Sequence, residues 1–309
     1  MLAPSPLKVV QRWKIPDFLN GIRADHYLVH HVGRISRNKA QKIIASGDFR
    51  LEHQILKSSK RLKAGDPVEL WRTPPDSPKI QNLRVSILYE DSQFLVIDKP
   101  AHLAIHPSAR YLYQTLTHWL KINYPNQPIH PCHRLDRETS GVLVCSKDAQ
   151  TESNIKRAFM NGAVQKTYLA LVEGRMPQAI ECSRPLALQG SRGLVAIKMI
   201  EDLEHGSAAQ THFRPLSYDP VKNWSLVECF PKTGRQHQIR AHLALEGFPI
   251  VGDKLYAMGE AFFDAYSKGE ANLRLLPLSR QALHAQKIQF DLEGKTYLFE
   301  SNNAYFDAL

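Results

Sequence analysis

The sequence predicts an α+β protein: a mixed, mainly antiparallel sheet domain with flanking helices and a central cleft, preceded by a small α+β domain. Three observations carry this. Strand-like runs outnumber helical ones and do not alternate strictly with them, which disfavours a doubly wound α/β sheet. A stretch with three prolines, TPPDSPKIQN (73–82), interrupts the pattern about a quarter of the way along. The charge divides at the same place: residues 1–75 carry 14 Lys and Arg against 6 Asp and Glu, a net +8 of the chain's formal +10.

Taken in order, residues 1–20 read as a flexible tail, with Pro4, Pro6 and Pro16. Residues 21–73 form a small module. In it SRNKAQKIIASG has Ser36 as N-cap, Ala40, Ile43 and Ile44 on the inner face, and Gly47 as the stop. Arg37, Lys39 and Lys42 fall on its outer face. Strands are expected near 49–56 and 67–71, around a Gly65-Asp66 turn. Residues 74–83 form a linker, and 84–309 the sheet domain. There SILYE and QFLVID read as strands joined at Asp91-Ser92, a helix covers 113–122, and GVLVCS (141–146) is a buried strand. Asp148 caps a helix that presents Ile155, Ala158 and Phe159 inward and ends at Asn161-Gly162. VQKTYLALVEG and WSLVECF are strands. A PKTG turn then enters a helix over RQHQIRAHLALEG that stops at Gly247.

Composition removes several classes. A chain of 309 residues with 43% hydrophobic content can bury a large core. No apolar run reaches the length of a membrane span, and the N-terminus lacks the apolar core of a secretory signal. Cys132, Cys145, Cys182 and Cys229 lie far apart without a C-x-x-C pair, which fits reduced thiols in a cytoplasm and no disulfide or zinc framework. The basic N-terminal quarter points to a polyanion, nucleic acid first; a plain solvated basic face accounts for charge alone equally well.

HRLDRETSGVLV (133–144) places one carboxylate, Asp136, between Arg134 and Arg137 at the mouth of a strand. Adjacent cations favour the ionised form, and an ionised carboxylate can act as nucleophile or base, although capping and ion pairing use aspartates more often. In PKTGRQHQIRAH, Lys232 and Arg235 fall where a helix begins, with Thr233 as a cap. Cations there oppose the helix dipole and call for an anion nearby: a phosphate, or a carboxylate such as Asp136. Tyr168, on the strand face of Lys166, offers a ring for stacking on a nucleobase; packing is the commoner use. His237 and His242 lack zinc-helix spacing. HRLD has a passing likeness to the kinase catalytic loop, but no phosphate-binding glycine loop accompanies it.

Together and in this order, HRLDRETSGVLV, KTYLALVEG and KTGRQHQIRAHL strongly resemble three motifs of the RluA family of RNA pseudouridine synthases. ILYEDSQFLVIDKPAHLAIHP, FPIVGDKLY and RQALHA (280–285) are weaker matches in family order, so the resemblance covers about 84–300. Residues 23–72 resemble the alpha-L RNA-binding module shared with a small-subunit ribosomal protein. Two departures stand out: His102 where the family has glycine, and LEHQ (51–54) where the module has a V-N-G turn.

The resemblance implies isomerisation of uridine to pseudouridine in structured RNA, ribosomal (large subunit) or transfer, without cofactor or metal. Cysteine usage and the lack of a membrane span lead us to expect a cytoplasmic protein without a membrane, acting as a monomer with no obligate protein partner. Asp136 matches the catalytic aspartate, as nucleophile or as base. Arg235 matches the arginine that pairs with it, and Tyr168 the tyrosine that packs on the target base. Arg134, Arg137, Lys166, Lys232 and Arg240 are candidate RNA contacts around the site, as are Arg37, Lys39 and Lys42 in the module. An RNA-binding protein without catalysis, and a hydrolase acting on a free nucleoside, are the competing classes; the intact Asp136, Tyr168 and Arg235 and the basic module argue against them.

Overall fold

The computed structural model describes residues 9–32, 35–72, 83–107, 114–301 and 306. The chain divides into two compact units, Met1–Pro78 and Lys79–Leu309. The proline-rich linker lies almost wholly outside the described residues.

The first unit contains β1 (Val9–Lys14), α1 (Ala24–Val32), α2 (Arg37–Ala45), β2 (Phe49–Leu51), β3 (Gln54–Ile55) and β4 (Pro67–Arg72). Its antiparallel sheet runs β1-β4-β2-β3. The tail expected over 1–20 is therefore corrected from Val9 onward, residues 1–8 lying outside the described residues: β1 pairs with the whole length of β4, from Val9 opposite Arg72 to Lys14 opposite Pro67. An otherwise open edge of β4 gains a ladder, and Trp13 and Ile15 join the core. Ser36 caps α2 by accepting from Lys39 N–H, a contact worth about 1 kcal/mol. LEHQ makes a two-residue hairpin in which Glu52 and His53 both have positive φ, 48° and 67°. That is the turn for which Asn-Gly is the favoured pair.

The second unit is built on a ten-stranded sheet. Its elements are β5 (Ser86–Glu90), β6 (Phe94–Lys99), α3 (Leu116–Asn123), β7 (His130–Pro131), β8 (Ser140–Ser146), α4 (Ala149–Met160), β9 (Gln165–Glu173), β10 (Ile180–Cys182), β11 (Leu186–Leu188), β12 (Met199–Glu201), β13 (Thr211–Asp219), β14 (Trp224–Pro231), α5 (Gln238–Leu245), α6 (Glu260–Lys268), β15 (Leu283–Leu292) and β16 (Lys295–Glu300). The main path is β10-β13-β14-β9-β15-β8-β6-β5, with β16 on β15 and β7 on β8. All these pairs are antiparallel except β15 with β8.

Strands β6 and β8 read as continuous apolar runs because both faces are covered. Phe94, Val96, Val142 and Val144 pack with Ile155 of α4. Leu95, Ile97, Leu143 and Cys145 pack with Leu116 and Trp119 of α3. A third cluster joins β9 and β14 to Ile239 and Leu243 of α5. All four cysteines are free and buried.

Two expected boundaries move. The helix expected over 113–122 begins at Leu116, capped by Thr115, with residue 113 outside the described residues. The helix expected to open at Arg235 begins at Gln238, behind His237 with φ +51°. Residues 233–237 stay a turn because the Thr233 hydroxyl donates to Gln238 Oε1 at 2.7 Å and the Arg235 backbone N–H donates to the same oxygen at 2.9 Å.

Candidate active site

The turn carrying Asp136 is locked from three directions. His133 Nε2 accepts the Val144 N–H at 3.0 Å. Lys99, fully buried, donates to the carbonyls of Pro100, Leu103 and Arg137. Burial pushes its ammonium down to about 7, opposed by the Asp136 charge. On the far side, Gln281 Nε2 donates to Thr139 Oγ1, and Ser140 Oγ meets His284 Nδ1 at 2.9 Å. Gly141, with φ +111°, lies so close to β15 that a Cβ would sit 2.1 Å from the Ala285 carbonyl oxygen. Thus HRLDRETSG and RQALHA interlock in the folded chain.

Asp136 faces a cleft of about 490 Å³ lined by Arg134, Arg137, His237, Arg240, Lys254, Phe263 and Tyr266 among others. Its Oδ2 accepts from Arg240 Nη1 at 2.7 Å, and its Oδ1 lies 4.0 Å from His237 Nε2. Burial opposes ionisation. The charges of His237 (when protonated in acid), Arg240 and Arg134, with the Arg240 hydrogen bond, outweigh it and hold the carboxyl well below the usual carboxylate range. The site holds an anion at neutral pH.

Arg240, not Arg235, makes the pairing expected of Arg235. Arg235 is exposed and donates through Nε to the Ala208 carbonyl. The physical reason is the later helix start, which puts Arg240 in the first turn of α5, facing Asp136. Three of the five N–H donors of Arg240 are committed to carboxylates of the protein. Besides Asp136 it grips Asp253 with two bonds, Nε to Oδ2 at 2.7 Å and Nη2 to Oδ1 at 3.0 Å. Asp253 is fully buried and also accepts the Leu255 and Tyr256 N–H groups. Gly252, with φ +76°, permits this loop; a Cβ there would lie 2.3 Å from the Arg280 carbonyl oxygen. The cation near a helix start is thus offset by two carboxylates.

Tyr168 is half-buried where two core clusters meet. Burial, then the charge of Asp136, pushes its phenol pKa up. Lys166 reaches the Thr233 carbonyl at 3.3 Å and stands 5.9 Å over the Phe159 ring; burial lowers its pKa to about 8. Arg134 and Lys232 are exposed. Arg137 is braced by Glu138 at 2.8 Å and by the Tyr266 hydroxyl at 3.0 Å. In the first unit Lys39 and Lys42 are exposed, whereas Arg37 is paired with Asp25 at 3.0 Å.

Sequence reasoning missed His237, Glu138 and the aromatic wall of α6. Glu138 accepts from Lys254 Nζ at 2.8 Å as well as from Arg137. Asp253 was signalled by VGDKLY, without a role. His102 has φ +65°, the conformation glycine favours, at the position where the resemblance expects glycine.

Comparison with known proteins identifies the family. Residues 93–245 match the family model described as RNA pseudouridylate synthase. The ribosomal large subunit pseudouridine synthase D of Xanthomonas campestris is 32% identical over 89% of this chain and 83% of its own. The chain belongs to the RluA family of RNA pseudouridine synthases. It is an enzyme that isomerises uridine in RNA. The mitochondrial tRNA pseudouridine(32) synthase of Saccharomyces cerevisiae is also 32% identical, over 74% of this chain and 49% of that one. Among solved structures, human RNA pseudouridylate synthase domain containing 4 superposes with a TM-score of 0.56 at 25% identity, covering 70% of this synthase and 88% of that chain. Among the described residues, no helix of the synthase is long and apolar enough to cross a membrane.

Proposed function

We propose that this synthase isomerises a uridine in ribosomal RNA of the large subunit, with Asp136 as its catalytic carboxylate and Arg240 as the arginine that holds it. The observation that carries the reading is the asymmetry of Asp136: Oδ2 is held by Arg240, while Oδ1 has no hydrogen bond among the described residues and faces the cleft. An ionised carboxylate with one open oxygen is suited to begin cleavage of the N-glycosidic bond, as nucleophile or as base. The uracil then turns, C5 bonds to the ribose, and the C5 proton leaves. Tyr168 packs on the base and assists that last step.

A uridine in folded RNA must be extruded first, at a cost of a few kcal/mol. Arg134 and Lys232, both exposed, meet the phosphates and offset that cost. The N-terminal unit serves as an RNA-binding module through Lys39 and Lys42, and its presence favours ribosomal RNA over the transfer RNA alternative. The reading includes a cytoplasmic setting, supported by four free, buried cysteines, and action as a monomer.

The test uses ribosomal and transfer RNA transcripts carrying tritium at C5 of uridine. Release to water by the wild type and not by Asp136→Asn, on the ribosomal transcript, is the expected result. Equal release by both would remove Asp136 from the chemistry, and release from transfer RNA alone would reassign the substrate.

A further inference from the structure

His237 has no role in the reading above, yet its placement is specific. It has φ +51°, which costs a non-glycine residue about 1 kcal/mol or more. Such strain persists where the surroundings impose it, often at functional sites. Here they do: Gln238 is anchored on one side, and Tyr256 on the other.

Tyr256 also determines which ring nitrogen carries the proton. Its hydroxyl oxygen accepts the Met199 N–H at 2.9 Å. The hydroxyl lies 3.2 Å from His237 Nδ1, its one acceptor among the described bonds. The tyrosine therefore donates to Nδ1, and the imidazole proton sits on Nε2. Burial and the neighbouring Arg240, opposed by Asp136, lower the ring's pKa to about 4, so at neutral pH the ring is uncharged. An Nε2–H donor is left pointing at Asp136 Oδ1 across 4.0 Å.

That gap is too long for a hydrogen bond and too short for an intervening group larger than one heavy atom. A single oxygen about 2.8 Å from each partner spans it. Such an oxygen must accept from His237 and donate to Asp136. Water does both in the free enzyme; of the oxygens an RNA substrate brings, a hydroxyl does both, whereas a phosphate oxygen or a uracil carbonyl cannot donate. Within an RNA chain the 3′ and 5′ oxygens are esterified, so the one free ribose hydroxyl is the 2′-OH, which is both donor and acceptor.

We propose that His237 and Asp136 together hold the 2′-hydroxyl of the target uridine, His237 donating through Nε2 and Asp136 accepting through Oδ1. This rests on the assignment of Asp136 above. It makes His237 a substrate-contacting residue that orients the ribose and selects RNA over DNA, and Tyr256 a positioning residue that sets its tautomer.

The experiment compares His237→Gln with His237→Asn in single-turnover tritium release. The terminal amide of glutamine reaches the Nε2 position, whereas that of asparagine stops near Nδ1. Asparagine, however, is the residue better suited to positive φ. Glutamine is therefore expected to keep a turnover within about tenfold of wild type while asparagine falls by about 100-fold, the scale of one lost active-site donor. A purely structural role gives the opposite order, and asparagine equal to or better than glutamine overturns the proposal.

Two further arms guard the result. Tyr256→Phe is expected to slow the wild type severalfold but to have no added effect in the His237→Gln background, where no tautomer exists. Equal slowing in both backgrounds would remove Tyr256 from this role. After the modified uridine is mapped, a stem-loop carrying 2′-deoxyuridine at that position should slow the wild type and leave His237→Asn little changed. Fully additive losses overturn the proposal. Asp136→Asn run alongside separates the cases: if it still releases tritium, the reading of Asp136 fails; if it is inactive and His237→Asn is not, the inference about His237 alone fails.

Discussion

Asp25 in the first unit and Asp136 in the second are both held ionised by arginines, yet only one is available for chemistry. Asp25 is fully buried and accepts five hydrogen bonds: two from Arg23 and one each from Arg37, Gln41 and the His26 N–H. Arg23 leads in holding its carboxyl well below the usual range. Asp136 reaches a similarly low position with a single hydrogen bond and a side chain 19% exposed. A depressed carboxyl pKa therefore does not mark a catalytic group. The distinction lies in which lone pairs remain: Asp25 is saturated and ties α1 to α2, while Asp136 keeps Oδ1 free toward the cleft. Asp253 belongs with Asp25, since Arg240 and two backbone N–H groups occupy it.

The largest effect that would break this contrast is on Asp136 itself. Asp136→Asn is expected to reduce tritium release by at least about 10⁴-fold, the scale of a lost catalytic group, with an unchanged circular dichroism spectrum. Next comes Arg240. Arg240→Ala leaves Asp253 buried and unpaired, a loss of about 3–5 kcal/mol, read as a lower urea midpoint. Arg240→Lys keeps the charge but not the two-pronged grip, and should still cost turnover about 100-fold. Asp25→Asn should leave turnover on a short RNA intact and destabilise the first unit by about 2 kcal/mol, a modest figure because Arg37 is half exposed. In acid the unfolded Asp25 binds more protons than the folded one. Its stabilisation is complete above the ordinary aspartate range and fades as pH falls below it; an acid titration of the wild type should show that slope and Asp25→Asn should lack it. The smallest effect is assigned to Arg235→Ala, within about threefold in turnover, because among the described residues its side chain donates to one backbone carbonyl. A loss at Arg235 as large as at Arg240 would reverse the assignment made from geometry.

Much of the fold was open to reading because local rules and tertiary needs agree. Ser36 and Asp148 cap their helices as their residue types require, and the unbroken apolar runs of β6 and β8 are what strands covered on both faces demand. β1 was missed because Pro4, Pro6 and Pro16 mark the tail as irregular, while the reason for a strand at Val9–Lys14 is the edge of β4, more than fifty residues away.

The sequence by itself determined the carboxylate and its company: Asp136 between arginines, a second basic motif following the strand of Tyr168, and a basic N-terminal quarter. Which arginine meets Asp136 was a tertiary decision. Arg235 and Arg240 are both cations near a helix start, and the dipole argument treats them alike. Five residues apart, they would point about 140° apart around a helix, so one alone can face the carboxylate. The left-handed turn at His237 and the Asp253 loop fix the phase of α5, and both depend on contacts with distant segments that no local pattern encodes.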